Sequence, residues 1–186
     1  MNILEAIESR RSIRRFAEKP IPAEALERLV EVSRLYASGR NLQPIRFAIV
    51  AEKENTDRLF PLLKWAGYLP GFVIEENQRP AAYLVLCAQE PGACQFDVGA
   101  ASTSVMLAAR AFGLQSCCLL SFQAQPLQAL LQLPEGMKPA MVIALGYPAQ
   151  ESRAVPQAED CKYFETPDGV LNVPKLSAQE VTIFRG

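Results

Sequence analysis

The chain has 186 residues, of which 49% are apolar and 21% charged, a size suited to one domain with a substantial core. Lysine and arginine number 19 against 20 acidic residues, for a net charge of −1, so nothing in the charge balance calls for nucleic acid or an anionic membrane surface. There is no histidine, which removes Ser-His-Asp and Cys-His nucleophiles and every His-bearing metal triad.

Asn2 followed by Glu5 has the form of a capping box, with Ile3 and Ile7 on one face of a helix expected to reach about Arg10. A basic turn from Arg11 to Phe16 leads to Pro20 and Pro22. A second helix is expected from Ala23, with Leu26, Leu29, Val30 and Ser33 at helical spacing, ending near Ala37. Residues 38–41 read as loop, and 45–50, rich in β-branched and aromatic side chains, as a strand. Asn55 or Thr56 is the expected cap of a helix carrying Leu59, Phe60, Leu62 and Leu63. Residues 67–79 mix glycine, proline and charge, and read as loop or a short irregular helix.

The apolar run 81–88 has the pattern of a strand buried on both faces. Residues 95–112 give the longest helical pattern, stopped by Gly113. A short buried strand at 114–120 precedes a helix with Pro126 in its first turn and Leu127, Leu130 and Leu131 behind it. Another buried strand, 140–145, closes on Gly146-Tyr147-Pro148. Regularity then fades, and 162–174 reads as a hairpin around Pro167-Asp168-Gly169. No repeat, low-complexity tract or linker interrupts the chain, so a single domain over 1–186 is expected. The apolar runs are too short to span a bilayer, and the first residues lack the basic-then-apolar layout of a signal peptide. A soluble, cytoplasmic protein without membrane or nucleic-acid partner is the expectation.

The five cysteines, Cys87, Cys94, Cys117, Cys118 and Cys161, are odd in number and contain no C-x-x-C, which argues against a disulfide framework and a common zinc site. Cys117-Cys118 reads either as a vicinal redox pair or as two small apolar residues in a buried strand. The second reading is favoured, since a bond between adjacent cysteines is strained.

Alternating helices and strands first suggest a doubly wound α/β fold. The chain opens with a helix, however, and has no G-x-G-x-x-G loop. What it has is Arg10-Arg11-Ser12-Ile13-Arg14, three arginines and a hydroxyl directly after the first helix. The planar guanidinium fork suits phosphate, although a solvated helix end would have the same composition. The segment Asn41-Leu42-Gln43-Pro44 is ambiguous in the same way, a loop entering a strand.

Together, and in order, these segments resemble the nitroreductase family. R-R-S-x-R near residue 10 matches the family's opening, and Ala37-Ser38-Gly39-Arg40-Asn41-Leu42-Gln43-Pro44 matches its P-S-x-x-N-x-Q-P loop. Phe96-Asp97-Val98-Gly99-Ala100, Gly113-Leu114, Leu133-Pro134-Glu135-Gly136 and Ala144-Leu145-Gly146-Tyr147-Pro148 follow at the corresponding places, so the resemblance covers about residues 2–150. It implies an α+β fold, a central mixed, mainly antiparallel sheet flanked by helices with a C-terminal extension, and a homodimer with FMN between the subunits. Arg10, Arg11 and Ser12 would then hold the phosphate and ribityl end, and Arg14 the N1 and O2 edge of the ring. Ser38, Gly39 and Asn41 would reach the partner's flavin, and Cys118, Leu119, Leu120 and Ser121 would lie along the ring. Lys175 aligns with a basic residue at the phosphate, and Lys64 and Asn77 are candidates for the pyrimidine edge.

The match has departures. Ala37 replaces a proline, and Leu120 and Ser121 stand where many members have a polar or acidic residue and a glycine. The small residues Gly99, Ala100, Ala101, Ser102, Ala108 and Ala109 suit a close helix contact, either with a second chain or with the chain's own sheet. The activity implied is hydride transfer from NAD(P)H through FMN to a nitroaromatic, quinone or related acceptor by a ping-pong mechanism. No protein residue need be the catalyst. A flavin-storing or flavin-sensing protein, and a specialised flavin oxidase or fragmentation enzyme, are the alternatives.

Overall fold

The structure is a computed structural model that describes residues 2–157, 159–184 and 186. Helix α1 (Ile3–Ser9) starts with the expected capping box: the Asn2 side chain accepts from the Glu5 N–H at 3.0 Å, and Glu5 accepts in return from the Asn2 N–H. Helix α2 (Ala23–Ser33) buries Leu26, Leu29 and Ser33 and stops before the expected end near Ala37. Strand β1 (Arg46–Val50) follows. Helix α3 (Lys53–Leu59) begins two residues earlier than Asn55, with Glu52 at the cap position, and gives way to a tight turn at Phe60–Leu62. Pro61 explains the change, because it has no N–H for the helical ladder.

Strand β2 (Ala82–Ala88) is buried throughout. Helix α4 (Gln95–Ala111) ends at Gly113, whose φ of +77° is the left-handed conformation that glycine adopts without steric cost. Strand β3 (Gln115–Leu119), helix α5 (Ala124–Leu131) and strand β4 (Lys138–Gly146) complete the main layer. The central sheet has the order β1-β2-β4-β3, with every neighbouring pair antiparallel.

The parallel component of the pairing lies elsewhere. Ser12 makes an isolated parallel bridge to Ser116 on β3. Beyond the main sheet, β5 (Ser152–Pro156) pairs in parallel with β7 (Leu171–Lys175), and β7 pairs antiparallel with the two-residue β6 (Phe164–Glu165). The hairpin expected at 162–174 is therefore present, with β5 added on its far side. A short helix, α6 (Ala178–Val181), follows with its own capping box from Ser177.

Alternation along the strands divides the core in two. Leu84, Leu86, Ile143 and Leu145 face α2 and α4, together with Val98, Ala101, Val105 and Ala109 of α4. Tyr83, Val85, Cys117, Leu119, Val142 and Ala144 face the opposite way, toward Leu59 and Leu127 of α3 and α5 and toward Ile13 and Phe16. Ala101, Ser102 and Ala109 are thus buried within the chain, Ala101 and Ala109 in the core shared by α2, α4 and the sheet, whereas Gly99 is exposed on α4. Gly146 is where Phe16 presses onto the sheet, so that a Cβ there would lie 2.7 Å from the ring.

Candidate functional site

Residues 10–16 leave α1 and run along the edge of β3. Ile13 and Phe16 are buried anchors, and the Ile13 N–H donates to the Ser116 carbonyl at 3.0 Å. The Phe16 N–H donates to the Gln78 carbonyl at 2.9 Å, and the Ala149 N–H to the Arg15 carbonyl at 3.1 Å. With the apolar residues turned inward, Arg10, Arg11, Ser12 and Arg14 are held in place by backbone that belongs to the sheet.

The arginines differ in how their charge is met. Arg15 pairs with Glu165 of β6 and lies over the Phe72 ring, 4.5 Å from its centroid. Arg10, Arg11 and Arg14 have no carboxylate partner among the described residues. An Arg10 Nη1 lies 3.9 Å from Met106 Sδ on α4, and an Arg11 Nη1 donates to the Arg10 carbonyl. Arg14 is 9% exposed and its guanidinium lies over the Tyr163 ring, 4.3 Å from the centroid. Tyr163 leans on Tyr68 with centroids 5.1 Å apart. A guanidinium held against an aromatic face, with no carboxylate partner among the described residues, keeps its donors available for an anion. Burial, and after it the neighbouring Arg10, hold the Arg11 guanidinium below its ordinary pKa.

The segment and the residues bonded to it carry unpartnered polar atoms. Arg11 Nε, Ser116 Oγ and Gln150 Nε2 are buried without a hydrogen-bond partner. Gln150 is fixed beside Arg14 because its Oε1 accepts from the Arg14 N–H at 3.3 Å. The three guanidiniums without a carboxylate partner suit a ligand with several oxyanion and carbonyl acceptors. Neither Ser116 nor Gln150 figured in the sequence reading. Ser116 carried a weak signal, a lone hydroxyl inside an apolar strand run; Gln150 carried none.

The segment 118–121 divides by side-chain direction. Cys118 and Leu119 turn into opposite cores, while Leu120 and Ser121 are exposed just past the end of β3. The Ser121 carbonyl accepts from the Lys64 N–H at 2.9 Å, which brings Lys64 alongside it. Arg10 and Arg14 act electrostatically on the Cys118 and Cys117 thiols respectively, so β3 and the arginine segment form one locality. Asn77 is exposed on the rim of another cavity. Lys175, at the end of β7, is exposed and separate from the arginine segment in its hydrogen bonding.

Ser38, Gly39 and Asn41 stand apart from that locality. The Ser38 hydroxyl donates to Asp97 at 2.6 Å and accepts from the Gln43 N–H at 2.9 Å, which ties the loop to the start of α4. Arg40, Asn41 and Gln43 all have positive φ, at 51°, 57° and 49°, a concentration of left-handed non-glycine residues that the surrounding contacts must maintain. Asp97, near the start of α4, and Met106 are about 14 Å apart along its axis. One chain therefore does not bring the Ser38 loop and the arginines together.

Among known proteins, the Nitroreductase family matches residues 7–70 and 72–147. A protein of Methanothermobacter thermautotrophicus named "Putative NADH dehydrogenase/NAD(P)H nitroreductase" is 28% identical over 158 residues, covering 81% of this chain and 79% of the relative. An iodotyrosine deiodinase of Haliscomenobacter hydrossis is 28% identical over 182 residues, covering 77% of this chain and 78% of that one. In three dimensions, the chain is similar to an FMN-dependent nitroreductase from Clostridium difficile R20291. The TM-score is 0.68 at 21% identity, over 81% of this chain and 90% of the other.

Proposed function

The chain belongs to the nitroreductase family of oxidoreductases, and on that premise we propose that it binds FMN and passes electrons from NAD(P)H to a small acceptor such as a nitroaromatic or quinone. The observation that carries this reading is that Arg10, Arg11 and Arg14, on backbone held at the edge of β3, have no carboxylate partner among the described residues. Bound FMN would supply the redox chemistry by accepting a hydride and giving up electrons in turn. The protein's residues would bind, orient and polarise. Arg10, Arg11 and Ser12 would meet the phosphate and ribityl chain, with Ser116 beside them. Arg14 would face the pyrimidine edge of the ring, where a cation favours the reduced, negatively charged form. Gln150 would add an amide donor there. Leu120 and Ser121 would line the ring as Cys118 and Leu119 secure the strand behind them. Lys175 would reach a phosphate only from another chain.

The geometry also supports a homodimer. Phe96 is 94% exposed near the start of α4, and Ile3, Leu4 and Ile7 are exposed on α1, which the Arg110 to Ser9 hydrogen bond of 2.9 Å fastens to the far end of α4. Leu42, in the Ser38 loop, is exposed as well. A two-fold axis across α4 would cover this apolar face. It would also set the arginine end of one chain against the Ser38, Gly39 and Asn41 end of the other, completing two shared sites.

The test is the visible spectrum after incubation with FMN and desalting. Flavin bands retained at about one per chain, and lost in the Arg10→Ala, Arg14→Ala double variant, are expected, because each lost charge-assisted bond costs roughly 1.5–3 kcal/mol. A colourless protein that retains no FMN would overturn the proposal. Steady-state kinetics with NADH and NADPH then test for the parallel-line pattern of a ping-pong mechanism.

A further inference from the structure

Two adjacent arginines each lie over an aromatic ring from a distant part of the chain. The Arg14 guanidinium is 4.3 Å from the centroid of Tyr163, in the segment leading into β6, and that of Arg15 is 4.5 Å from the centroid of Phe72. Both ring-bearing segments are tied down beside the arginines. Glu165 of β6 pairs with Arg15 and stands opposite Leu171 of β7, which is fully buried. Tyr68, four residues before Phe72, packs on Tyr163 with ring centroids 5.1 Å apart. Its N–H also points to the Tyr163 hydroxyl, a long contact of 3.5 Å. Tyr163 is thus held by its own strand on one side and by Tyr68 on the other.

What this contact leaves free matters as much as what it fixes. A ring attracts a guanidinium through its π face and occupies no hydrogen-bond donor. An ion pair with a carboxylate would fix the same charge but take up donors. Arg14 has no carboxylate partner among the described residues, and unlike Arg11 Nε none of its nitrogens is buried without a partner. Without the ring, a long and rotamer-rich side chain would spread its charge over several positions.

We infer that Tyr163, backed by Tyr68, is a positioning residue for the cofactor. It fixes the Arg14 charge and, on the flavin reading, in which Arg14 faces the pyrimidine edge of FMN, raises the flavin's midpoint potential. A cation held there favours the reduced, negatively charged form, whereas the same cation swinging toward water is screened and counts for less. The segment before β6 is in this way coupled to a site built from residues 10–14.

The test is the midpoint potential of the flavin-loaded protein, by reductive titration against reference dyes. Tyr163→Leu is expected to lower it by about 30 mV, which for a two-electron couple is a tenfold weaker hold on reduced relative to oxidised flavin. Tyr163→Phe keeps the ring and should stay near wild type. In an Arg14→Gln background, which keeps Arg10 and Arg11, Tyr163→Leu should give no further shift, because the ring acts through Arg14. A full shift in that background overturns the proposal, as does a Tyr163→Leu variant with a lower Tm and an unchanged potential. Should Tyr163→Leu not fold, Tyr68→Ala takes its place, since Tyr68 is 52% exposed, and an unchanged potential there is equally decisive. Wild-type protein that retains no FMN overturns the flavin reading and this proposal with it. Retained FMN whose potential ignores Tyr163 overturns this proposal alone.

Discussion

Arg14 and Arg15 are adjacent in sequence and opposite in circumstance. Arg15 has Glu165 for a counter-charge, whereas among the described residues Arg14 has the face of Tyr163 and no carboxylate, a weaker partnership inside a protein. Neighbours also differ at Cys117 and Cys118, which turn into opposite cores and remain free thiols. That removes the vicinal disulfide and leaves them as packing residues. Burial, followed by the neighbouring Cys117, pushes the Cys118 thiol up to about 12, and burial pushes Cys87 up to about 11. Since the thiolate is the reactive form, their reactivity at neutral pH is suppressed, whereas Cys161 is exposed. Native protein treated with iodoacetamide at mildly alkaline pH should therefore take up one label per chain, mapped to Cys161 by peptide mass. Labelling of Cys118 in the folded protein would contradict the burial that holds its proton on.

At the scale of elements, the contact between Phe16 and β4 shows how tightly the arginine segment is set. A Cβ at residue 146 would meet the Phe16 ring at 2.7 Å and 3.0 Å. Gly146→Ala should cost about 1–3 kcal/mol by overpacking, seen as a lower Tm, and should weaken FMN retention by shifting Arg14 with the ring. An unchanged Tm would show that Phe16 can move aside freely. The same scale shows what the sequence made legible. Helices and strands with strong periodicity, α4 and β2 above all, stand where the pattern placed them, and the capping box and Gly113 mark true ends. Boundaries set by competing local interactions were harder to see. α3 begins before either side chain expected to cap it, and α2 ends early although residues 34–37 are compatible with helix. In the site, the arginines could be picked out because charge clustering is local. Ser116 and Gln150 reach them through strand pairing and a return of the chain more than a hundred residues later, which leave no local trace.

For the whole molecule, the proposed dimer makes cofactor binding and association one process. Phe96→Asp would place a charge on the apolar face of α4, so it should yield a monomer by light scattering that also fails to retain FMN. A monomeric variant that still holds one flavin per chain would show that the arginine end suffices alone. The Ser38 loop and the arginine segment are both fastened to α4, at Asp97 and Met106. The helix therefore acts as a spacer whose length is part of the site's specification. Adding or deleting residues between those positions would rotate as well as shift one end against the other, by about 100° and 1.5 Å for each residue. An insertion in the irregular stretch 67–79 carries no such penalty for the relation between the two ends. The chain's tolerance to changes of length should be lowest inside its most regular helix.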